Sequence, residues 1–336
     1  MNCIIMNKFD IIIPTGIKDV SFVPRVVDFV YRCFEEMEHI YILTSKKNFV
    51  RIKRKIPIYV PCTLIDENKL LPGLSYSVVA DILMKYCPNK RLNIGWYFQQ
   101  FLKLGFAQSK YCKDYYVSWD ADTLPLAPIT FFEEGDLLFN PKSEYNSNYF
   151  RTIERLFGYG KQTEYSFIAE NMIFSKNIVD EMLAKIEKSD VDGTTWMEKI
   201  LVASDLNNSM PAFSEFETYG TYCSVNYPGL YKPRYLNTFR EAGYICGRNI
   251  SEDRLRIMSF DLDTVSFEMR HAPMFPYNLP NLIFNSKERL KMMKSMTFRQ
   301  IIKKVWNKLL CRQDTEKQAA IEQFYRLPQR NTTKQS

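Results

Sequence analysis

Residues 115–126 read Tyr-Tyr-Val-Ser-Trp-Asp-Ala-Asp-Thr-Leu-Pro-Leu. The apolar run Tyr115 to Trp119 predicts a buried strand, and it ends in two carboxylates one residue apart. In an extended chain, residues i and i+2 point the same way, so Asp120 and Asp122 can converge on one hard cation. One of them can also bind directly and the other through water. Mg²⁺ and Mn²⁺ take oxygen ligands and usually share their sites with substrate phosphates. Ligands of open α/β sheets bind outside the carboxyl ends of the strands, where this pair falls. The plain alternative is a solvated turn, because an isolated Asp-x-Asp is common by chance.

Working outward, strands and helices alternate on the N-terminal side. Residues 9–13 (FDIII) predict a first buried strand, ending at Pro14-Thr15-Gly16. Residues 22–37 have helical spacing, and residues 39–44 and 56–60 read as the second and third strands. This alternation predicts βαβ units and a mostly parallel sheet. Between the second and third strands, residues 46–55 (KKNFVRIKRK) hold six basic residues in ten. A solvated loop or edge is the plain reading, and a phosphate or membrane contact is the other. Residues 95–109 predict a helix in which Trp96, Gln100 and Lys103 share one face, with Gln99 at its edge. A lysine with amide side chains beside two aspartates suits a sugar diphosphate. Alternatively Trp96 packs in the core and the polar groups face water.

Composition narrows the classes. The chain has 336 residues, 46% of them apolar and 25% charged, enough for one large domain or two ordinary ones. Only two histidines, His39 and His271, are present, so a multi-histidine metal cage is excluded. With 12 glycines and neither GxGxxG nor GxxxxGK[ST], a Rossmann dinucleotide enzyme or a P-loop NTPase is not expected. The eight cysteines form no CxxC pair. With no secretory leader in view, they predict reduced thiols in a cytoplasmic protein. No run approaches the roughly 18 apolar residues of a membrane span.

The net charge of +7 is uneven. Residues 286–312 hold nine basic residues and one acidic residue, which leaves the body near neutral and argues against a nucleic-acid partner. Within that segment Thr297-x-x-Gln300 has capping-box spacing. Apolar residues then recur helically from Phe298 to Leu310, with Trp306 among them, flanked by Lys303, Lys304, Lys308 and Arg312. A basic amphipathic helix over 298–312 suits an anionic membrane surface, or else it docks on the protein's own core. The tail, 313–336, is polar and expected to be disordered.

Four blocks carry a family resemblance: the Ile11–Thr15 strand end (IIIPT), residues 95–104 (GWYFQQFLKL), residues 117–126 (VSWDADTLPL) and residues 214–220 (SEFETYG). Together they resemble GT-A-type glycosyltransferases. More closely, they are similar to a group of bacterial GT-A-like proteins known mainly as a domain of unknown function and associated with surface-polysaccharide synthesis. The resemblance covers residues 9 to about 275. It implies a GT-A-like α/β domain over 1–280, an open and mostly parallel sheet flanked by helices, to which the amphipathic segment 286–312, read from its own pattern, is appended. It further implies a nucleotide-sugar donor, a glycan or lipid-linked acceptor, and Mn²⁺ or Mg²⁺ held by Asp120 and Asp122 near the donor diphosphate. Such an enzyme would work in the cytoplasm or peripherally on the inner membrane face. Pro14 and Thr15 match the loop that meets the nucleotide. His271 matches a late histidine that completes the metal shell in some such enzymes. The donor sugar and the anomeric outcome stay open.

An inverting transferase must deprotonate its acceptor hydroxyl, and a carboxylate is the usual base. Ser214 to Gly220 offers Glu215 for that role, with Glu217 to hold an acceptor or a neighbouring lysine. Glu170 is a second candidate, and surface carboxylates are the plain reading of all three. A retaining enzyme needs no such base, and Glu215 would then bind sugar hydroxyls. Arg240 and Arg270 are phosphate candidates, whereas His39 opens a strand and is expected to have no catalytic part. Three rival readings are weaker. Asp261-Leu-Asp263-Thr-Val265 fits a HAD-type phosphatase motif but has no later acidic pair, so a hairpin turn is expected there. A sugar nucleotidyltransferase would need a Gly-rich basic loop after the first strand, where Pro14 to Asp19 supplies one glycine and Lys18. A non-catalytic membrane-surface module would rest on 298–312 alone.

Overall fold

The computed structural model describes residues 7–88, 93–204, 206, 211–268 and 271. The chain divides into two compact units. The first comprises residues 1–121 with 128–236, and the second 122–127 with 237–336. The strands are β1 Phe9–Pro14, β2 Met37–Thr44, β3 Cys62–Asp66, β4 Tyr115–Trp119, β5 Thr123–Pro125, β6 Phe132–Glu133, β7 Asp136–Phe139, β8 Asn171–Ser175, β9 Tyr231–Pro233, β10 Thr238–Phe239 and β11 Thr264–Ser266. The helices are α1 Val23–Cys33, α2 Phe49–Lys53, α3 Tyr76–Tyr86, α4 Ile94–Gly105, α5 Ser147–Phe157, α6 Lys176–Glu187, α7 Trp196–Ala203, α8 Glu215–Asn226, α9 Ala242–Ile245 and α10 Glu252–Met258.

The first unit is built on a five-stranded sheet of order β3-β2-β1-β4-β8. Its first four strands run parallel, and β8 runs antiparallel to β4. Ile11, Ile12, Ile13 and Val117 are fully buried, as expected of parallel strands covered by helices on both faces. The fold is thus α/β, an open and mostly parallel sheet flanked by helices, as expected from the alternation. The strand order reverses between β1 and β4. Their register pairs Ile12 with Ser118, and two residues further on stand Pro14 and Asp120.

The first helix ends at Cys33, short of the expected 37, and residue 37 already belongs to β2. Two further local expectations change. The third strand is 62–66, not 56–60. Pro57 and Pro61 bracket residues 58–60, and the Val60 amide donates to the Pro57 carbonyl at 3.1 Å, closing a turn instead of entering a ladder. The basic run 46–55 forms a single 3₁₀ turn, Lys46–Asn48, followed by α2. The strand at 115–119 and the helix from 94 lie where they are expected, the latter capped by the Asn93 side chain accepting from the Trp96 amide at 3.2 Å.

Helix α7 begins with Thr195-x-x-Glu198, and Thr195 Oγ1 accepts from the Glu198 amide at 3.2 Å. The Glu198 carboxylate accepts from Lys85 Nζ at 2.8 Å, Tyr86 Oη at 2.9 Å and the Thr194 amide at 2.9 Å, tying α3 to α7. These donors, Lys85 first, lower its pKa to about 2. A folded value below the unfolded one stabilises above the unfolded pKa, and the gain fades as pH falls toward the folded one. Because Lys85 is largely exposed, we expect the stability difference between wild type and Glu198→Gln to shrink by about 1–2 kcal/mol between pH 7 and pH 3. Urea denaturation at the two pH values measures it, and a pH-independent difference would discount the charge at Glu198.

The second unit has a three-stranded sheet in which β11 runs parallel to β10 and antiparallel to β5. Asp263 Oδ2 accepts from the Asn237 amide at 2.9 Å, just before β11. The Asp261–Asp263 stretch therefore joins α10 to β11, where a hairpin turn was expected. No helix among the described residues is long and apolar enough to cross a membrane. The predicted segments 286–312 and 313–336 lie outside the described residues.

Candidate functional site

The carboxyl ends of β1 and β4 meet at the point where the strand order reverses. Thr15, 2% exposed, closes β1 with its hydroxyl donating to the Ile13 carbonyl at 2.9 Å and its amide to the Leu43 carbonyl at 2.8 Å. Its own carbonyl accepts from Thr44 Oγ1 at 2.8 Å. Pro14 and Thr15 are thereby held by β2. Asp120 closes β4, its amide donating to the Glu170 carbonyl at 3.0 Å across the antiparallel pair. The Glu170 carboxylate is buried, 3.4 Å from Lys142 Nζ.

Helix α4 lays its Trp96, Gln100 and Lys103 face against the start of α8. Trp96 Nε1 donates to the Phe213 carbonyl at 3.4 Å. Gln100 Oε1 accepts from the Glu215 amide at 3.3 Å. The Lys103 ammonium lies 2.7 Å from Glu215 Oε1, 3.1 Å from Asp120 Oδ1, and 4.2 Å above the Phe216 ring. Gln99 is half-buried beside this face. The Tyr116 hydroxyl donates to the Lys103 carbonyl at 2.8 Å, fixing the helix on β4.

The three charged groups differ in access. Lys103 and Glu215 side chains are 4% and 2% exposed, whereas Asp120 is 29% exposed. Burial by itself pulls the lysine pKa down, but the Asp120 and Glu215 carboxylates outweigh it and hold the ammonium charged well above its ordinary range. Burial pushes the Glu215 carboxyl up, and Lys103 opposes that. Enclosed by its partners, the ammonium orients Asp120, the carboxylate that keeps a path to solvent.

Helix α8 starts with Ser214-x-x-Glu217, and Ser214 Oγ accepts from the Glu217 amide at 3.3 Å. That Ser-x-x-Glu N-cap signature is legible in the sequence and marks the helix that the periodicity hides. Residues Glu215 to Cys223 are buried on every side, so no amphipathic stripe exists to read. Glu217 is fully buried, accepting from Ser166 Oγ at 2.6 Å and the Phe167 amide at 3.0 Å. Its carboxylate anchors the chain just ahead of β8. Burial pushes its pKa up, against those two donors. Gly220 is where α8 crosses Phe167, and a Cβ there would fall 2.1 Å from the ring. Gly220→Ala is expected to cost about 1–3 kcal/mol in thermal unfolding, as overpacking does. An unchanged midpoint would mean that the ring swings aside freely.

Asp122 and His271 belong to the second unit. The Asp122 carbonyl accepts from the Phe267 amide at 2.8 Å, and its side chain is half-buried. His271 is 5% exposed and stacks on Tyr244 with ring centroids 3.9 Å apart, its Nε2 3.8 Å from Glu268 Oε2. Among the described residues, no group of three or more His, Cys, Asp or Glu is placed to hold a metal ion. Asp120, at the end of β4, is a partly open carboxylate, the donor type that a hard cation sharing its shell with phosphate takes. Arg240 follows β10, and Arg270 lies outside the described residues. His39 Nε2 meets Thr63 Oγ1 at 2.8 Å and is not part of this group. The sequence reading missed Lys142 and Phe216, which show only once α8 and β8 are packed.

A family model described as a family of unknown function, DUF6492, matches residues 6–241. Among curated proteins none matches the chain. Similar solved structures include an active-site mutant of LgtC, with TM-score 0.40 and 13% identity, covering 83% of this chain and 96% of that one. Galactosyltransferase LgtC in complex with donor and acceptor sugar analogues gives TM-score 0.37, 12% identity and coverages of 77% and 87%. Mouse xyloside xylosyltransferase 1 in its apo form gives 0.42, 10%, 80% and 99%. A likeness of this size says nothing of activity.

Proposed function

The chain belongs to the DUF6492 family, and from that premise we propose that it transfers a sugar from a nucleotide-sugar to a glycan or lipid-linked glycan acceptor. One observation carries the reading. Pro14–Thr15 and Asp120 close adjacent parallel strands at the switch point of an open α/β sheet, where such folds bind ligands. The resemblance of the four sequence blocks to GT-A glycosyltransferases supports it, and that resemblance is also the ground for placing the reaction in surface-polysaccharide synthesis.

In this reading Asp120 and Asp122 hold Mn²⁺ or Mg²⁺, which when bound neutralises charge on the departing nucleoside diphosphate. Lys103 holds Asp120 from behind, and Glu215 holds Lys103. Both are positioning residues, because the ammonium and its partner are enclosed and face each other. Glu217 is a positioning residue for the chain before β8. Gln100 receives the first amide of α8 and so fixes where Glu215 sits. Placing the groups before substrate arrives spares the reorganisation that would otherwise add to the barrier.

Thermal unfolding against UDP, GDP and CDP, with and without Mn²⁺, tests the reading. A ligand of the native state adds about 2.7 kcal/mol at a hundredfold excess over Kd. The expected result is a Mn²⁺-dependent rise with one of the three, absent in Asp122→Ala. No rise with any nucleotide would sink the proposal. A rise that survives Asp122→Ala would leave donor binding standing and remove the metal from it.

A further inference from the structure

The crossover between β2 and β3 presents a strongly basic surface. Its six basic residues between Lys46 and Lys55 are all exposed, and no acidic residue occurs from there to Tyr59. Among the described residues none of the six lies within ion-pair distance of a carboxylate. Bare positive charge of this kind attracts any polyanion. The apolar side chains between the charges select among polyanions.

Ile58 is fully exposed, and Val50 and Tyr59 are 60% and 57% exposed. On α2 the inward position is taken by Ile52, which is fully buried, so Val50 stands on the outward side with the basic residues. Ile58 tops the turn closed by Val60 and Pro57. That turn is braced. Tyr59 Oη donates to Asp28 Oδ1 at 2.7 Å, and the Tyr59 ring packs against Tyr31 with centroids 5.6 Å apart. A firm turn presenting isoleucine to water beside six cations is unfavourable in solution, and it matches the boundary between headgroups and acyl chains.

We propose that residues 46–59 dock on an anionic lipid bilayer, Val50 and Ile58 entering the headgroup boundary and the basic residues meeting acidic headgroups. A nucleic acid would match the charge and leave the aliphatic side chains unused. The segment starts two residues after Thr44, which bonds the Thr15 carbonyl, so docking would bring lipid toward the end of the sheet where Thr15 follows β1. The proposal does not depend on the transferase reading, because vesicle binding is measured with no donor present.

The test is cosedimentation of the full chain with phosphatidylglycerol–phosphatidylcholine vesicles and with phosphatidylcholine alone. Wild type is expected to bind the mixed vesicles only. The triple variant Arg51→Glu, Lys53→Glu, Arg54→Glu should lose on the order of tenfold or more of that binding. Ile58→Asp should lose several-fold at a salt concentration that screens the charges. The predicted helix 298–312 stays intact in every protein, so differences among them report on 46–59. Melting curves confirm the fold, and Arg51→Gln with Arg54→Gln replaces the triple variant if that one melts early. Vesicle binding unchanged in the charge variants overturns the proposal, as does no binding by wild type. Equal binding to a single-stranded oligonucleotide, with no loss in Ile58→Asp, would overturn it in favour of a polyanion surface.

Discussion

Lys103→Met is expected to destabilise the chain by about 3–5 kcal/mol, the usual cost of removing one partner from a buried ion pair. Methionine keeps most of the apolar stem of the lysine and removes the ammonium, so most of the loss reports on charge. Glu215, 2% exposed, would be left ionised with no cation beside it, or would take up a proton. Asp120 contributes less, because at 29% exposure water replaces much of what the ammonium gave. Pairing Lys103→Met with Glu215→Gln removes both buried charges and is expected to recover at least half of the loss. Chemical denaturation of the two variants and of Glu215→Gln alone completes the cycle. A single-variant cost below about 1 kcal/mol, or a double variant no better than the single, would show that the pair is not buried as described.

Asp120→Asn is expected to lower turnover by about 10²–10³-fold, the scale of removing one preorganised electrostatic group from a transition-state site. The substitution keeps size and leaves Lys103 bound to Glu215, so stability should fall by only about 1 kcal/mol. Mn²⁺-dependent nucleotide binding should weaken in parallel, which separates a ligand role from a fold defect. Glu215→Gln provides the contrast. If Glu215 positions Lys103 and Asp120, turnover drops modestly and the shape of the pH profile is kept. If it is the base, the profile loses its acidic limb. Full turnover in Asp120→Asn would remove this residue from the site.

Much of this site was legible because it is local. The strand 115–119 shows as an apolar run, and Asp120 follows it directly. The Trp96, Gln100 and Lys103 face follows from helical spacing, and α4 does turn those three side chains to one partner. Glu215 was visible as a carboxylate but not as the occupant of a closed pair. Its partner stands 112 residues earlier in the chain, and spacing says nothing about a contact at that separation. Helix α8 escaped periodicity because it is buried all round, although its Ser-x-x-Glu N-cap signature was in plain sight. The misplaced third strand has a local cause as well: the continuous apolar run at 56–60 mimics a strand, and Pro57 and Pro61 turn it into a braced loop.

The sequence by itself determined the α/β class, the strand that carries Asp120, and the absence of dinucleotide and P-loop motifs. Those properties rest on periodicity and on short spacings, which act within a few residues. Only the tertiary structure decided that Lys103 is enclosed between Asp120 and Glu215, that Glu217 anchors the chain before β8, and that Val50 and Ile58 face water beside six cations. Burial and charge pairing are set by which elements pack together, and packing joins residues that the chain holds far apart.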